Sequence, residues 1–190
     1  MAALSTVLWE RLDGFGTELC RLETTGAGYR LSGVLLSRDH GRPVEIRYDV
    51  TADGGWRTLG ARVAVDGPRD STEVTIDADG AGAWRLDGHP VALEQPCLDL
   101  DLSFTPATNT LALRRLNPEA GQRLPTRALL VSVPSFRARA AEQSYERIDA
   151  TTYRYVSRYA NRRLVVDANG LVLDYELGWR KLAHSLHASV

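Results

Sequence analysis

The sequence predicts a mainly β protein with a single large curved antiparallel sheet, half-barrel or barrel-like, of about a dozen strands and at most one or two short helices. Short segments that alternate apolar and polar residues recur about every ten residues, separated by Gly, Asp, Asn and Pro. A twisted antiparallel sheet of this size must curl or fold on itself to cover its apolar face. A curved sheet that encloses a cavity is therefore the favoured architecture.

Length and charge limit the organisation of the chain. With 190 residues and 20.9 kDa, it can bury one substantial core but is short for two ordinary domains, so we predict a single β-rich domain over 1–190. The 23 basic and 24 acidic residues give a net charge of −1. No overall field attracts a polyanion, and we expect no nucleic-acid partner. The oligomeric state is left open.

The remaining composition predicts a cytoplasmic protein. Glu10, Arg11 and Asp13 interrupt the first apolar stretch, which is unlike a signal peptide. No later apolar run reaches the roughly 18 residues that a transmembrane helix needs. Cys20 and Cys97 are too few for a disulfide framework or a zinc knuckle, and both lie among alternating apolar residues. We expect buried, reduced thiols, no bound metal and no cofactor.

The strand predictions follow the alternating segments in chain order. They are Gly28–Leu36, Val44–Val50, Trp56–Val65, Glu73–Ala78, Ala83–Leu86, Leu98–Phe104, Leu111–Leu116, Arg127–Val133, Gln143–Arg147, Thr152–Arg158, Arg163–Asp167 and Leu171–Tyr175.

Turns and helices complete the prediction. Three turns combine Asp or Asn with glycine, which tolerates positive φ, and should close hairpins: Asp53-Gly54-Gly55, Asp79-Gly80 and Asn169-Gly170. Helical periodicity is weak. One short helix is expected, and the candidate segments are Pro134–Ala141 and Leu182–Ala188.

The segment from Cys97 to Leu116 carries the most informative polar pattern. Because successive side chains of a strand point to opposite faces, Leu98, Leu100, Leu102 and Phe104 should share one face, and Asp99, Asp101 and Ser103 the other. We interpret this segment as a half-buried strand with a polar face.

Two interpretations of this polar face remain open. The backbones of Asp99 and Asp101 should lie roughly 6 to 7 Å apart, which is in reach of acid and base chemistry on a glycoside, but alternating acids on a strand are more typical of a solvated face. In an extended strand, only one of Arg114 and Arg115 can point toward the aspartates. An Asp and Arg network can recognise sugar hydroxyls or phosphate, or serve only as an ion-pair lattice.

A second polar and aromatic row lies further along the chain. Tyr145 and Arg147 alternate on one predicted strand, and Tyr153 and Tyr155 alternate on the next. Cross-strand aromatic residues often only pack together. A tyrosine can also stack its ring on a sugar or lipid chain while its hydroxyl bonds a polar head.

Several motifs together resemble the bacterial family called "Putative glycolipid-binding", formerly a domain of unknown function. The most specific is Thr105-Pro106-Ala107-Thr108-Asn109-Thr110-Leu111 followed by Arg114-Arg115-Leu116, although Ala112 stands where proline is common. The others are Trp9-Glu10-Arg11-Leu12-Asp13 with Glu18–Leu22, the start of the Asp99–Leu116 segment, Gln143-x-Tyr145-x-Arg147, and Val166-Asp-x-x-Gly170-Leu-Val-x-Asp174-Tyr.

The resemblance implies a fold similar to the lipoprotein localisation factors, whose curved antiparallel sheet wraps a hydrophobic cavity. It also implies a glycolipid or another amphiphile as partner. The resulting hypothesis is a non-catalytic carrier, with no catalytic residue assigned. Its alternatives are a hydrolase that acts on a glycoside or ester with the paired aspartates, and a protein-interaction module. The predicted ligand-binding residues are Asp99, Asp101, Asn109, Arg114, Arg115, Tyr145, Arg147, Tyr153 and Tyr155.

Overall fold

A computed structural model describes residues 1–67 and 70–187, which form one fifteen-stranded sheet and one helix. The strands are β1 Ala2–Arg11, β2 Gly16–Thr25, β3 Gly28–Asp39, β4 Arg42–Asp53, β5 Thr58–Asp66, β6 Ser71–Ala78, β7 Trp84–Leu86, β8 His89–Pro90, β9 Asp99–Leu102, β10 Arg123–Ser132, β11 Arg137–Arg147, β12 Thr152–Ser157, β13 Asn161–Val166, β14 Val172–Tyr175 and β15 Trp179–Leu186, and the helix is α1 Asn109–Leu116.

The sheet consists of two meanders that meet where the first strand pairs with the last. It runs from β8 through β1, passes directly to β15, and continues down to β9. Every pairing is antiparallel except that of β9 with β10, which is parallel. Among the described residues, β8 and β9 are the unpaired ends, so the sheet is not closed into a barrel. The predicted mainly β class and single large sheet are confirmed.

Chain connectivity forces the sheet to curl. The fourteen spacings between fifteen strands would hold β8 and β9 about 65 Å apart in a flat sheet. The connection from Pro90 to Asp99 spans at most about 30 Å when fully extended. The two ends do approach each other, because the Trp84 indole N–H donates a 2.8 Å hydrogen bond to the carbonyl of Cys97. Curvature is thus a consequence of the short link between the edge strands.

The core follows the alternation of the strands. Val7 and Trp9 in β1, and Cys20 and Leu22 in β2, are fully buried, while their alternating neighbours are mostly more exposed. These residues belong to a single contiguous hydrophobic cluster that extends along the sheet. Cys20 and Cys97 are both free and buried, as predicted.

The chain between β9 and β10 crosses the interior of the curved sheet. This crossing segment, residues 103–118, is bonded to both arms: Thr105 Oγ1 donates to Glu18 Oε1 of β2 at 2.6 Å, and the Tyr145 hydroxyl of β11 donates to Asn109 Oδ1 at 2.9 Å. It contains α1, so the predicted strand Leu111–Leu116 is wrong. Leu, Ala and Arg are good helix formers, and a helix satisfies its own backbone groups within an enclosed space.

Within the described residues neither candidate helix segment is helical, so both candidates are wrong as well. Arg137–Arg147 is β11, which pairs with β10 from its first residue, and residues 133–136 form the turn before it. Trp179–Leu186 is β15, bonded to β1 in the middle of the sheet, while Ala188 lies outside the described residues. In each case the hydrogen bonds of the sheet override weak helical propensity. The strands β1 and β2 alternate in the same way but lie outside the predicted strand segments.

The predicted hairpin turns are in place. Asp53 Oδ1 accepts the backbone N–H of Gly55 between β4 and β5, and Asp79 Oδ1 accepts that of Ala81 between β6 and β7. Gly170, with φ +82°, completes the turn between β13 and β14. In the described part of the chain, no helix is both long and apolar enough to cross a membrane.

Candidate functional site

Two cavities lie beside the crossing segment. The first, the β9–β12 cleft, has a volume of about 1120 Å³ and is lined in part by Asp101, Gln143 and Tyr155. The second, the β3–β6 cavity, has a volume of about 540 Å³ and is lined in part by Leu35, Ile46 and Phe104. The short stretch from Asp101 to Phe104 therefore contributes to both cavities. Both volumes are within or near the range of about 300 to 1000 Å³ that small-molecule sites occupy.

Asp101 is a carboxyl group that lines the β9–β12 cleft, which the exposed Glu142 also lines. The Gln143 side-chain amide donates a 2.5 Å hydrogen bond to Asp101 Oδ2, and Arg139 also lines the cleft. Burial raises the pKa of Asp101 to about 6, because desolvation of the carboxylate outweighs the Gln143 hydrogen bond and the attraction of Arg139. The cleft thus holds a carboxyl group that changes protonation in the weakly acidic range.

Asp99 is buried behind the cleft in an ion pair. Arg115 Nε donates a hydrogen bond to Asp99 Oδ1 and Arg115 Nη2 donates one to Asp99 Oδ2, both at 2.8 Å. The Thr126 hydroxyl donates a third hydrogen bond, to Oδ2, at 2.6 Å. This bidentate geometry is the strong form of an Arg and carboxylate contact. Asp99 is only 1% exposed, so the predicted solvated polar face is wrong at this position. The parallel pairing with β10 and the nearby helix cover it.

An aromatic row continues the polar wall of the cleft. The Tyr145 hydroxyl bonds Asn109 and, at 3.3 Å, Gln143 Oε1. The Tyr145 ring lies 5.3 Å from that of Tyr155, which lies 6.1 Å from that of Tyr175. Burial raises the pKa of the Tyr145 hydroxyl well above its usual range, so this group stays protonated and donates. Tyr155 is the member of this row that lines the cleft.

The structure brings together only part of the predicted site. Asp101, Arg115 and Tyr155 line the cleft, and Asp99, Asn109 and Tyr145 are hydrogen-bonded neighbours of the groups around it. The other three predicted residues do not line either described cavity: Arg114 lies 5.1 Å from the Trp56 ring centroid, and Arg147 lies 5.9 Å from that of Tyr153.

Glu18 is a buried carboxyl group that the site prediction missed. It is 0% exposed, and its Oε1 accepts hydrogen bonds from the hydroxyls of Tyr48 at 2.5 Å and Thr105 at 2.6 Å. Its Oε2 has no hydrogen-bond partner among the described residues. Burial raises the pKa of Glu18 to about 7. The available signal was a glutamate in phase with Cys20 and Leu22 on an alternating strand.

The β3–β6 cavity combines an apolar wall with basic residues. Its apolar lining includes Leu35, Ile46, Val65, Phe104 and Phe136, and its basic lining includes Arg11, Arg38 and Arg42. Sequence patterns missed this cavity because its walls come from distant strands and from the turn between β10 and β11. No group of three or more His, Cys, Asp or Glu residues within 1–67 and 70–187 is arranged to hold a metal ion.

The family model described as "Putative glycolipid-binding" matches residues 6–181, almost the whole of the sheet. The chain belongs to this family. A crystal structure of a DUF1089 family protein from Pseudomonas aeruginosa is similar to this family member, with a TM-score of 0.74 and 31% sequence identity. The likeness covers 83% of this chain and 88% of that chain. Comparison with curated proteins finds no significant match.

Proposed function

We propose that this protein binds a glycolipid-type amphiphile without transforming it, with the sugar head in the β9–β12 cleft. The observation that carries the proposal is the half-buried Asp101 carboxyl group, which is held by Gln143 inside a cleft large enough for a small ligand. The family description is consistent with such a ligand. Asp99 lies behind this site and holds Arg115, which lines the cleft.

The lining supplies the contacts that a sugar head and an alkyl chain need. The Asp101 carboxylate accepts hydrogen bonds from hydroxyls, Arg139 donates to ring and hydroxyl oxygens, and the Tyr155 ring offers an aromatic face. Leu98 and Leu130 provide apolar surface beside these groups. An octyl chain would contribute about 6 kcal/mol before the costs of association are subtracted, so millimolar to micromolar affinity is expected.

The proposal is tested with octyl glucoside, titrated below its micelle concentration and followed by NMR chemical shifts. Asp101→Asn should weaken binding about tenfold, because a charged acceptor is replaced by a neutral amide. The matched control is Asp77→Asn, at an exposed position on β6. Wild-type binding should be tighter at pH 7.5 than at pH 5, since Asp101 ionises around pH 6. Equal affinity of Asp101→Asn and wild type at both pH values would contradict this assignment.

One observation favours hydrolysis as a second candidate function. Asp101 has a pKa raised to about 6 and lines the cleft, while the neighbouring Asp99 is bound by Arg115. Two carboxyl groups in unlike environments are the usual arrangement for an acid and its partner in glycoside cleavage. If the protein is a hydrolase, it should release nitrophenol from a panel of nitrophenyl glycosides and esters, and Asp101→Asn should lower that rate more than a hundredfold. No turnover on either class of substrate would count against this function.

A further inference from the structure

One end of the sheet exposes large apolar side chains on neighbouring turns. Leu12 and Phe15 lie between β1 and β2, and Leu177 lies between β14 and β15; Phe15 is 60% and Leu177 67% exposed. The Leu12 backbone N–H donates a 2.8 Å hydrogen bond to the carbonyl of Gly178, so the two turns are adjacent. These three residues form what we call the apolar tip.

Leu177 is an unfavourable residue for folding at its position. Its φ is +62°, a region that favours Gly, Asn and Asp and disfavours a branched apolar side chain. Its side chain is also mostly exposed, so it contributes little to the core. Leucine at this position therefore does little for folding. We infer that its apolar side chain contacts something outside the protein.

Arginine side chains surround the apolar tip. The guanidinium of Arg38 lies 3.3 Å from the ring centroid of Phe15, and the Ser37 hydroxyl donates to the Phe15 carbonyl. Arg11 directly precedes Leu12 and is paired with Asp13 at 2.6 Å. Another carboxyl group at this end, Glu176, accepts the backbone N–H of Arg163. Asp13 and Glu176 therefore already have partners.

The β3–β6 cavity meets this same end of the sheet. Every second turn of an antiparallel meander lies at one end, which groups the turn at 12–15 with those at 40–41, 133–136 and 176–178. Arg38 contacts the tip, Arg11 directly precedes it in the chain, and both line the cavity together with Arg42. Among the described lining residues, Asp70 is the one carboxylate beside these three arginines and His40. An apolar cavity, a basic rim and an exposed apolar tip are thus continuous.

We propose that this end of the protein docks on an anionic lipid surface and that the β3–β6 cavity accepts an acyl chain from it. The apolar tip enters the interface between head groups and chains, and Arg38 and Arg42 contact lipid phosphates. Phe104, on the crossing segment, forms part of the apolar wall that receives the chain. This docking function involves none of the groups assigned to the sugar head, so the two proposals stand independently.

The test is co-sedimentation with vesicles of phosphatidylglycerol and phosphatidylcholine, compared with phosphatidylcholine alone. Wild type should bind the anionic vesicles at least tenfold more tightly. The double variant Phe15→Ser with Leu177→Asn should lose about tenfold in binding to anionic vesicles, because it removes the apolar tip while Asn suits positive φ. Arg38→Gln with Arg42→Gln should abolish the preference for anionic vesicles. The control Ile148→Ser changes an exposed apolar residue on a turn at the opposite end and should bind like wild type.

Every outcome of this test separates the explanations. Equal binding to both vesicle types, or unchanged binding of the tip variant, would overturn the proposal. A second result would also overturn the proposal: the wild type is a dimer, the tip variant is a monomer, and neither protein binds vesicles. That result would identify the apolar tip as a contact between two copies of the chain. The thermal midpoint of each variant checks its folding. Octyl glucoside binding should be unchanged in the tip variant, and vesicle binding should be unchanged in Asp101→Asn, so failure of one proposal does not carry over to the other.

Discussion

Glu18 and Asp101 are two carboxyl groups whose environments raise their pKa for the same reason. Both lose water on burial, and the hydrogen bonds from Tyr48 and Thr105, or from Gln143, do not fully compensate. Glu18 is enclosed by the core, whereas Asp101 faces a cleft. Both shifts therefore make folding stability depend on pH, and Asp101 should in addition affect ligand binding.

The stability of the protein should depend on the protonation of Glu18. Its pKa is about 7 in the folded state and about 4.5 in an unfolded chain, so both states are protonated below pH 4.5. As the pH rises from 4.5 to 7, the unfolded state releases its proton first, and the free energy of unfolding falls by about 3 kcal/mol from this group. Above pH 7 its contribution stays constant.

Urea unfolding at pH 5 and pH 7.5 measures this effect. Between these two pH values, the free energy of unfolding should fall less in Glu18→Gln than in wild type, because glutamine does not titrate. The difference should be most of the about 3 kcal/mol that Glu18 contributes. Glu73→Gln is the matched control, since Glu73 pairs with Arg62 at 3.5 Å on the exposed surface and should leave the decrease intact. The same decrease in Glu18→Gln as in wild type would exclude Glu18 as its source.

At the scale of elements, the interior is organised by contacts between strands and the crossing segment. Tyr48 on β4 lies across Gly33 on β3, its hydroxyl bonds Glu18 on β2, and its ring lies 5.8 Å from that of Phe104. A β-carbon at Gly33 would lie 2.5 Å from the Tyr48 ring. Glycine at this position therefore permits the close approach on which the Glu18 network depends.

Gly33→Ala should lower the free energy of unfolding by about 2 kcal/mol, because the ring must move and the core is overpacked. Combining it with Tyr48→Leu should cost at least about 1 kcal/mol less than the sum of the single variants, since the clash is then relieved. Denaturant unfolding of all four proteins measures this coupling. Gly26→Ala, where a β-carbon meets no atom within 4 Å, should change stability little. Strict additivity at Gly33 and Tyr48 would contradict the proposed contact.

The prediction of elements succeeded where local pattern and pairing agree. The turns at Asp53 and Asp79 are fixed by local side-chain hydrogen bonds, and the turn at Gly170 by a positive φ that glycine tolerates. Leu111–Leu116 alternates like a strand and yet is helical, because the space inside the curved sheet offers no neighbouring strand to bond it. The reverse holds for Arg137–Arg147, where β10 supplies such a neighbour.

For the whole molecule, the pairing of β1 with β15 joins two arms that are each formed by consecutive strands. This pairing covers residues Ser5 to Arg11 of β1, whereas β14 and β15 share only the pair Tyr175 and Trp179. The meeting of the first and last strands at the centre of the sheet makes the fold rich in long-range contacts.

A chain that ends at residue 178 should fail to form the native sheet. It leaves the β1 edge unpaired in the middle of the molecule and exposes the core beside Trp9, so aggregation through that edge is expected. Size-exclusion chromatography and circular dichroism measure the result, with a chain that ends at residue 187 as control. A monomeric shortened chain that unfolds cooperatively at the temperature of the control would show that the two arms do not need β15.

The sequence by itself determined the β class, the single large sheet, the main hairpin turns and the burial of the cysteines. These features depend on alternation, glycine geometry and local chemistry, which are written along the chain. Only the tertiary structure decided which aspartate faces a cleft, that Glu18 is buried against Thr105, and that Arg114 turns away from Arg115's ion pair. The reason is that curling brings together strands that are far apart in sequence, and one-dimensional patterns carry no record of which distant residues then meet.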